Sequence, residues 1–539
     1  MQPVYDYIII GAGSAGSVLA YRLSANPAHQ VLLVESGPPD KSALIHMPMG
    51  VGRLQTHGKQ HYWHYEVAKS GNRPTEPWIK GRTLGGSSSV NGMVYVRGTP
   101  ADYDEWAQAG CTGWGWDEIG RCFAELENHA LGPGGGRGTS GPLRITMPPK
   151  GDALAEAFLA AAAQAGTPTV PDTNAPDAAM AGCFSYQPRT IFSGKRFSAA
   201  RAFLEPARQR RNLTILTDTD VLRIEFTGNR ASGITLRRAG SAQSIAARLE
   251  IILSAGALQS PKLLQLSGIG PGALLQSLGI PVIADLPGVG QNLREHRGQQ
   301  LSYRTLKGGH NHELRGPGLA LSVLRYALTR SGPLANAVFD LSGYLKTTPD
   351  QLRPDGQIGV GLFSFEVKPQ GGQHPLDDRA VSPYPGLTMF GCHLRPESQG
   401  ELRIRSADPD AAPYINANYM ATESDRIRTV ALFRVMRAIA AQPALAPFIH
   451  SELMPGAACV SDDDIIDAAF NMGTPGYHVA GTCRMGTDDM AVLDPGLRVR
   501  GVQGLRVVDT SIWPAMVSGN TNGPAMATAW RAAELILTN

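Results

Sequence analysis

Nothing in the 539-residue sequence approaches the roughly 18 consecutive apolar residues that a membrane-spanning helix requires. Charge of one sign is lacking too. Lys and Arg number 49 against 46 Asp and Glu, and the net +3 is too small for a nucleic-acid footprint or an acidic tail. Cysteine is sparse: Cys111, Cys122, Cys183, Cys392, Cys459 and Cys483 are scattered and form no C-x-x-C pair. That excludes a disulfide scaffold and suits reduced thiols in a cytoplasmic enzyme. The N-terminus, MQPVYDYIIIGAG, enters an apolar strand without the charged region and cleavage site of a signal peptide. These absences leave peripheral attachment to a membrane open. The sequence has no G-x-S-x-G elbow, which argues against a nucleophilic hydrolase, and no P-loop. His57, His61 and His64 have the spacing of a helical metal face, but Gly58 interrupts them and no carboxylate or cysteine completes a set, so no metal is expected.

Glycine, by contrast, is abundant at 62 residues, and many stand beside strand-like segments, where a backbone bends sharply or meets a ligand closely. The chain is too long for one simple core, which predicts two substructures sharing a cleft. Residues 5–10 (YDYIII) read as a buried parallel strand, followed by GAGSAG, a helix to about Leu23, and a second strand VLLVES at 31–36. From Pro38 to about Gly98, frequent Gly and Pro predict a loop-rich region that wraps something rather than packing as a sheet. An alanine-rich helix is expected over about 151–165, and strands over 212–226 and 248–255. Between roughly 300 and 465, strand-like pieces (ELRIRSAD, YLKTT) alternate with a long helical one (SDRIRTVALFRVMRAIAA). LRVVD at 505–509 and a helix from about Gly523 to Leu537 return to the first style. The expected division is 1–150, 200–298 and 472–539 in a discontinuous nucleotide-binding domain, with 151–199 and 299–471 in a substrate-binding domain.

Gly11, Gly13 and Gly16 form a G-x-G-x-x-G between strand and helix. The first glycine permits the tight turn, the second lets backbone approach a pyrophosphate, and the third allows close helix–strand packing. Glu35 ends the next strand, 19 residues after Gly16, where an acid grips a ribose hydroxyl pair. The alternative reading, a purely structural turn, does not account for the whole strand–turn–helix–strand–acid order. NAD and FAD both suit this unit. The stretch GRTLGGSSSVNGMVYVRG, residues 81–98, concentrates small residues and backbone donors in a loop too long for a turn, suited to a second contact along a large flat cofactor. In LRVVDTSIWP, Asp509 closes a strand as if to meet a hydroxylated chain or phosphate. After it, SGNTNGPAM places Pro524 at an expected first helical position. The positive end of that helix, facing the pyrimidine edge of a flavin, would stabilise an anionic reduced form.

With GAGSAGSVLAYRLS, the 81–98 loop, LSAGALQSPKLLQLSGIGP, PGVGQNL, HVAGTCRMG and VVDTSIWP…NTNGPAM in this order, the chain resembles the glucose–methanol–choline (GMC) oxidoreductases nearly end to end. Within that family it is similar to the bacterial choline-dehydrogenase-like branch, which also holds alkyl and aryl alcohol dehydrogenases and oxidases. The resemblance implies FAD, a Rossmann-like FAD-binding α/β domain, and an α+β substrate-binding domain of antiparallel sheet with covering helices. The cofactor contacts it implies are Gly11, Gly13, Ser14, Ala15, Gly16, Glu35 and Ser36 in the first unit, and Trp63 and Arg82 beyond it. In the loop they are Gly85, Gly86, Ser87, Asn91, Gly92, Met93 and Val94; later come Val221, Ala255, Gly256, Asp509, Thr510, Asn520 and Thr521. Trp63 reads equally well as a half-buried anchor. Where some members carry a histidine bonded to the flavin, this chain has Val90 before Asn91, so FAD held without a covalent bond is expected. The family's usual Asp in N-L-x-D-H is Glu295 beside His296, a change given little functional weight here because the charge is kept.

Taking hydride from an alcohol carbon requires the hydroxyl proton to leave, and histidine suits that work near neutral pH. The resemblance places His478, in YHVAGTCRMG, over the flavin as general base, with Asn522 of NTN as the partner that steadies the alkoxide-like oxygen. Asn520 is expected to order the loop or touch flavin. The plainer alternatives are a satisfied loop histidine and an N-cap asparagine. The expected reaction is oxidation of a primary alcohol to the aldehyde, with O2 or a quinone as electron acceptor. An aromatic or apolar alcohol is favoured because GVGLFSFEV and YPGLTMFGCHL are rich in Phe, Leu, Met and Tyr, residues that also build cores. Choline, an FAD-containing cyanohydrin (hydroxynitrile) lyase, and a flavoprotein without turnover are the competing readings. Oxidase versus dehydrogenase and the oligomeric state are not legible.

Overall fold

The computed structural model describes residues 4–69, 75–366 and 381–538. Two seven-stranded sheets organise it. In the first, Val4–Ile10 pairs in parallel with Val31–Val34 on one side and with Ser241–Leu253 on the other. Leu213–Leu216 extends this sheet beyond Val31–Val34, and Leu505–Val507 pairs in parallel with the end of Ser241–Leu253. The strand residues Ile8, Ile9, Leu32 and Leu33 are fully buried, as the unbroken apolar runs require for a sheet covered on both faces. Helices Ser14–Leu23 and Asn522–Leu537 pack on each other against it, joining the two ends of the chain.

The sheet contains more strand than the sequence predicts. Thr219–Thr227 and Arg230–Arg238 form an antiparallel hairpin, and the latter pairs with Ser241–Leu253. Arg230–Arg238 carries charges at both ends, which conceal the buried Ile234 and Leu236. The expected strand at 212–226 is two strands, broken where Asp218 takes φ +51°.

The second sheet is antiparallel, in the order Ile449–Met454, Arg297–Thr305, Gly386–His393, Gly356–Gly361, Leu341–Leu345, Cys183–Tyr186, with Thr474–Pro475 paired to Arg297–Gly298. Helices Glu423–Ala440 and Ala153–Gln164 cover it through Leu432, Phe433, Met436, Phe158 and Ala162. Val367, the last residue of GVGLFSFEV, lies outside the described residues.

The stretch 38–98, expected to be loops, contains a β-hairpin, Tyr62–Val67 with Glu76–Gly81, and short helices at Ala43–His46 and Val51–His57. Its alternating Tyr62, Tyr65, Val67 and Trp78 are buried, and that apolar alternation prevails over the surrounding Gly and Pro. His57 ends a helix, His61 lies in a 3-10 turn and His64 in the hairpin, so the three share no helical face. Pro524 is the third residue of its helix, not the first, because the helix begins at Asn522. Its missing N–H still falls in the first turn, where no intrahelical partner exists.

The end of the 81–98 loop is tied down by a buried ion pair. Arg97 donates to Glu127 through Nε (2.7 Å) and Nη2 (2.5 Å), and Tyr95 Oη donates to the same carboxylate. Both charged side chains are at most 1% exposed. Arg97→Ala strands a buried carboxylate and is expected to cost about 3–5 kcal/mol. In thermal unfolding the double variant Arg97→Met/Glu127→Leu should lose much less than the two single variants together.

Candidate active site

A cavity of about 1370 Å³ extends between the two sheets, larger than the ~300–1,000 Å³ of an ordinary small-molecule site. It begins at the turn after Val4–Ile10. Gly11 holds φ +101°, and a Cβ there would stand 2.5 Å from the Ser254 carbonyl oxygen. A Cβ on Gly16 would stand 1.9 Å from the Gly11 oxygen, so helix Ser14–Leu23 packs directly on the turn. At Gly13 nothing lies within 4 Å of such a Cβ, and the residue lines the cavity. The open face of Gly13 at a helix N-terminus is where a pyrophosphate fits.

Glu35 stands beside this turn. Its Oε2 accepts the Ala12 N–H and its Oε1 the Gly37 N–H, both at 2.9 Å, leaving a further lone pair on each oxygen for a ribose hydroxyl. Burial pushes its carboxyl up to about 7 against those two bonds. Ser36 Oγ donates to Asp220, while Arg82 donates to Ser36 (2.9 Å) and Asp220 (3.2 Å). The Arg82 guanidinium lies 4.6 Å from the Trp63 ring centroid, so Trp63 forms part of this wall.

Further along, Ser14, Ala15, Gly86, Ser87, Asn91, Gly92, Met93, Val94, Val221, Ala255, Gly256, Thr510 and Thr521 line the same cavity. Gly16 and Gly85 do not. Gly16 packs beneath the turn, and a Cβ on Gly85 would meet the Ser89 hydroxyl at 2.3 Å. Asp509 lines the cavity, but its carboxylate braces the chain, accepting from Gly256 N (2.9 Å), Ser260 Oγ (2.6 Å) and Ser511 N (2.8 Å). Asn91 Oδ1 is held by Met93 N and Arg196 Nη1.

His478 also lines the cavity, and its surroundings fix its protonation. His296 Nε2 lies 2.8 Å from the Leu394 carbonyl oxygen, which only accepts, so Nε2 carries the proton. Neutral His296 then offers an unprotonated Nδ1, 2.9 Å from Nδ1 of His478. His478 must therefore donate from Nδ1, and its Nε2 keeps a bare lone pair. Burial drives both imidazoles toward the neutral form. His296 falls to about 4, and His478 falls well below 6.5, with His296 and Lys80 adding to the shift.

The partner of that lone pair is Asn520. Its Nδ2 lies 3.0 Å from His478 Nε2, and its Oδ1 accepts from Gln357 Nε2 at 3.2 Å, which settles the amide orientation. Asn522, expected in this role, faces the nucleotide turn instead, where its Oδ1 accepts from Ser14 Oγ at 2.7 Å. One residue, Thr521, separates the asparagines, and the start of the helix at Asn522 turns them to different sides.

Several residues of the site were not anticipated. Glu295 Oε1 accepts the His478 backbone N–H at 2.7 Å, so it has more than the minor role expected of it. Burial pushes its carboxyl up to about 8, and nearby Lys80 opposes that rise. Lys80 donates to the Tyr477 carbonyl at 2.8 Å and is itself pushed down by burial. The acid–histidine pair was visible in NLREH, but nothing in the sequence brings it to residue 478. Gln300, Gln357, Phe339 and Phe390 also line the cavity, and the two phenylalanine rings lie 6.0 Å apart at 32°.

Family models for the GMC oxidoreductases match residues 5–297 (N-terminal) and 396–529 (C-terminal). The chain is 37% identical to an alcohol dehydrogenase [acceptor] of Pseudomonas putida, over 99% of this chain and 96% of that one. It is 39% identical to the human mitochondrial choline dehydrogenase, over 99% and 89%. Among solved structures, pyridoxine 4-oxidase from Mesorbium loti superposes with a TM-score of 0.87 at 31% identity, covering 99% of each chain.

FAD is the cofactor these relationships support, and the open face of Gly13, the acid at Glu35 and the cavity volume suit it. A Gly16→Ala chain should fold yet purify with well under half the wild-type flavin per protein, read from visible absorbance, because its methyl group meets the Gly11 carbonyl.

Proposed function

The chain belongs to the GMC oxidoreductase family, and on that premise we propose that it oxidises a neutral primary alcohol, aromatic or apolar, to the aldehyde. The observation that carries this reading is the unprotonated Nε2 of His478, which accepts from the Asn520 amide at 3.0 Å, both residues lining the cavity. Bound FAD supplies the hydride acceptor. Residues of 1–150, 200–298 and 472–539 would hold it, without a covalent bond, since Val90 offers no ring nitrogen at the loop. A substrate hydroxyl beside His478 and Asn520 would give its proton to Nε2, and Nδ1–H to His296 would hold the imidazole in place as it becomes charged. The amide of Asn520 would donate to the oxygen as negative charge develops there. The Glu295 bond to the His478 backbone fixes the loop that carries the base.

The walls favour an uncharged, flat substrate. The carboxylates lining the cavity among the described residues are Glu35, Asp220, Asp410 and Asp509. Asp220 pairs with Arg82 and Arg237, and Asp410 with Arg237. Glu35 and Asp509 are bonded to backbone amides. With these acids already engaged, a trimethylammonium would have only aromatic faces such as Phe339 and Phe390 to meet, so choline ranks behind benzylic alcohols.

The deciding experiment mixes the yellow protein anaerobically with benzyl alcohol and then admits air. Loss of flavin absorbance with rapid return in air marks an oxidase, and return only with an added quinone marks a dehydrogenase. If benzylic, alkyl and amino alcohols all leave the absorbance unchanged, the redox reading is lost and cyanohydrin cleavage moves to the front.

His478→Ala should lower kcat by roughly 10²–10⁴ and Asn520→Ala by about 10²–10³, both with wild-type flavin content, whereas Asn522→Ala should act mainly on flavin retention. The base works unprotonated and burial lowers its pKa, so kcat/KM should stay level as pH falls through the ordinary imidazole value of 6.5 and decline only below it. A decline beginning above that value would contradict the buried neutral histidine.

A further inference from the structure

Helix Gly316–Thr329 is an exception to the rule that apolar residues face inward. Of its 14 residues only Ser322 and Tyr326 are buried. Leu321, Leu324 and Leu328 are 68%, 54% and 76% exposed and follow i, i+3, i+7, a single stripe along one face. Val323, on the adjoining side, is 47% exposed. Isolated exposed leucines need no explanation, but a continuous stripe of them marks an interaction surface. The helix is fastened at its far end, where Tyr326 Oη donates to the Gly194 carbonyl at 3.0 Å in the turn joining Ile191–Phe192 to Lys195–Arg196. Phe192 there is 40% exposed and adds to the apolar face.

The rim of this face is positive. Arg325 lies within the helix and Arg330 follows it, while Arg315, which precedes it, is paired with Glu366. Lys195 and Arg144, the latter 5.3 Å from the Phe192 ring, stand at the adjoining hairpin. From Leu314 to Phe339 the sequence has no acidic residue. Among the described residues, Glu313 pairs with His310 and Glu366 with Arg315. Apolar side chains ringed by arginine and lysine complement an anionic bilayer surface, where the leucines enter the acyl boundary and the cations meet lipid phosphates. A second copy of the chain meeting this face symmetrically would set Arg325 and Arg330 against their own kind. The helix, about 21 Å long, cannot cross a membrane, and no described helix is long and apolar enough to do so.

We propose that the face built by Leu321, Leu324, Leu328 and Phe192, with its arginine rim, docks the protein onto anionic lipid bilayers. Leu319 and Val323 of the same helix line the cavity, so docking sets the cavity mouth against the lipid. If the alcohol reading of the site holds, an apolar substrate then enters from the bilayer. The docking itself does not depend on that reading.

The test sediments the full-length, flavin-loaded protein with vesicles of phosphatidylcholine alone or mixed equally with phosphatidylglycerol. Wild type should pellet with the anionic vesicles, weakly with the neutral ones, and less as salt is raised. L324E/L328E and, separately, R325E/R330E should each lower the bound fraction on anionic vesicles by at least about tenfold. Flavin spectrum and unfolding temperature should be unchanged, and L321S/L328S serves as a milder pair if the glutamates disturb folding. Wild type remaining in solution with anionic vesicles overturns the proposal. So does L324E/L328E binding like wild type, or light scattering that finds a dimer which L324E/L328E splits while vesicle binding persists.

Discussion

A backbone carbonyl can accept a hydrogen bond but cannot donate one, and the site depends on that one-way property at Leu394. Its oxygen forces the proton of His296 onto Nε2, which leaves Nδ1 to accept from His478 and strips His478 Nε2 of a proton. Two rings meeting nitrogen to nitrogen would otherwise exchange tautomers freely, and His478 Nε2 would be unprotonated only part of the time. Burial of both imidazoles removes the competing imidazolium form as well. The tautomer of His478 is thus set by geometry that extends to a strand end of the second sheet, two residues past Cys392, while the histidine itself stands on a loop.

A loop needs its own constraint to hold a side chain to hydrogen-bond tolerance. Here it comes from a buried acid and a buried amine. Glu295 accepts the amide of His478, and Lys80 donates to the carbonyl of Tyr477, so adjacent residues of the loop are gripped from opposite chemical sides. Each charge is costly in this interior, and each makes the other tolerable. Burial raises the carboxyl and lowers the amine, their attraction opposes both shifts, and the same Lys80 helps keep His478 neutral. Glu295 therefore does more than supply a charge, since its carboxylate holds the backbone of His478.

What the sequence revealed follows from how local each signal is. The glycine turn, the apolar strands on either side and Glu35 lie within a run of about thirty residues, and their spacing is enough to read the first sheet and its ligand edge. The hairpin at 62–81 was hidden because Gly and Pro around it are local too, and they point the other way. Choosing between Asn520 and Asn522 depends on where the last helix begins, and helix starts are set within a residue or two by tertiary contacts. Thr521 rather than Asn522 precedes the helix, and that shift alone sends one asparagine to His478 and the other to Ser14. His296 was legible as a residue but not as a neighbour, being 182 positions away from the histidine it orients.

The aromatic wall follows from the same non-local logic, written in residues that have no side chain. A Cβ on Gly298 would stand 1.9 Å from the Phe390 ring, and one on Gly359 would stand 3.1 Å from that of Phe339. Both glycines lie inside strands, where glycine weakens a sheet and is retained only for a reason such as close approach. Here the approach is that of the two rings, which lie down over the strands because nothing projects from those positions. A side chain at 298 or 359 would meet a ring that lines the cavity. The second sheet therefore shapes one wall of the cavity, while His478 and Asn520 reach it from loops.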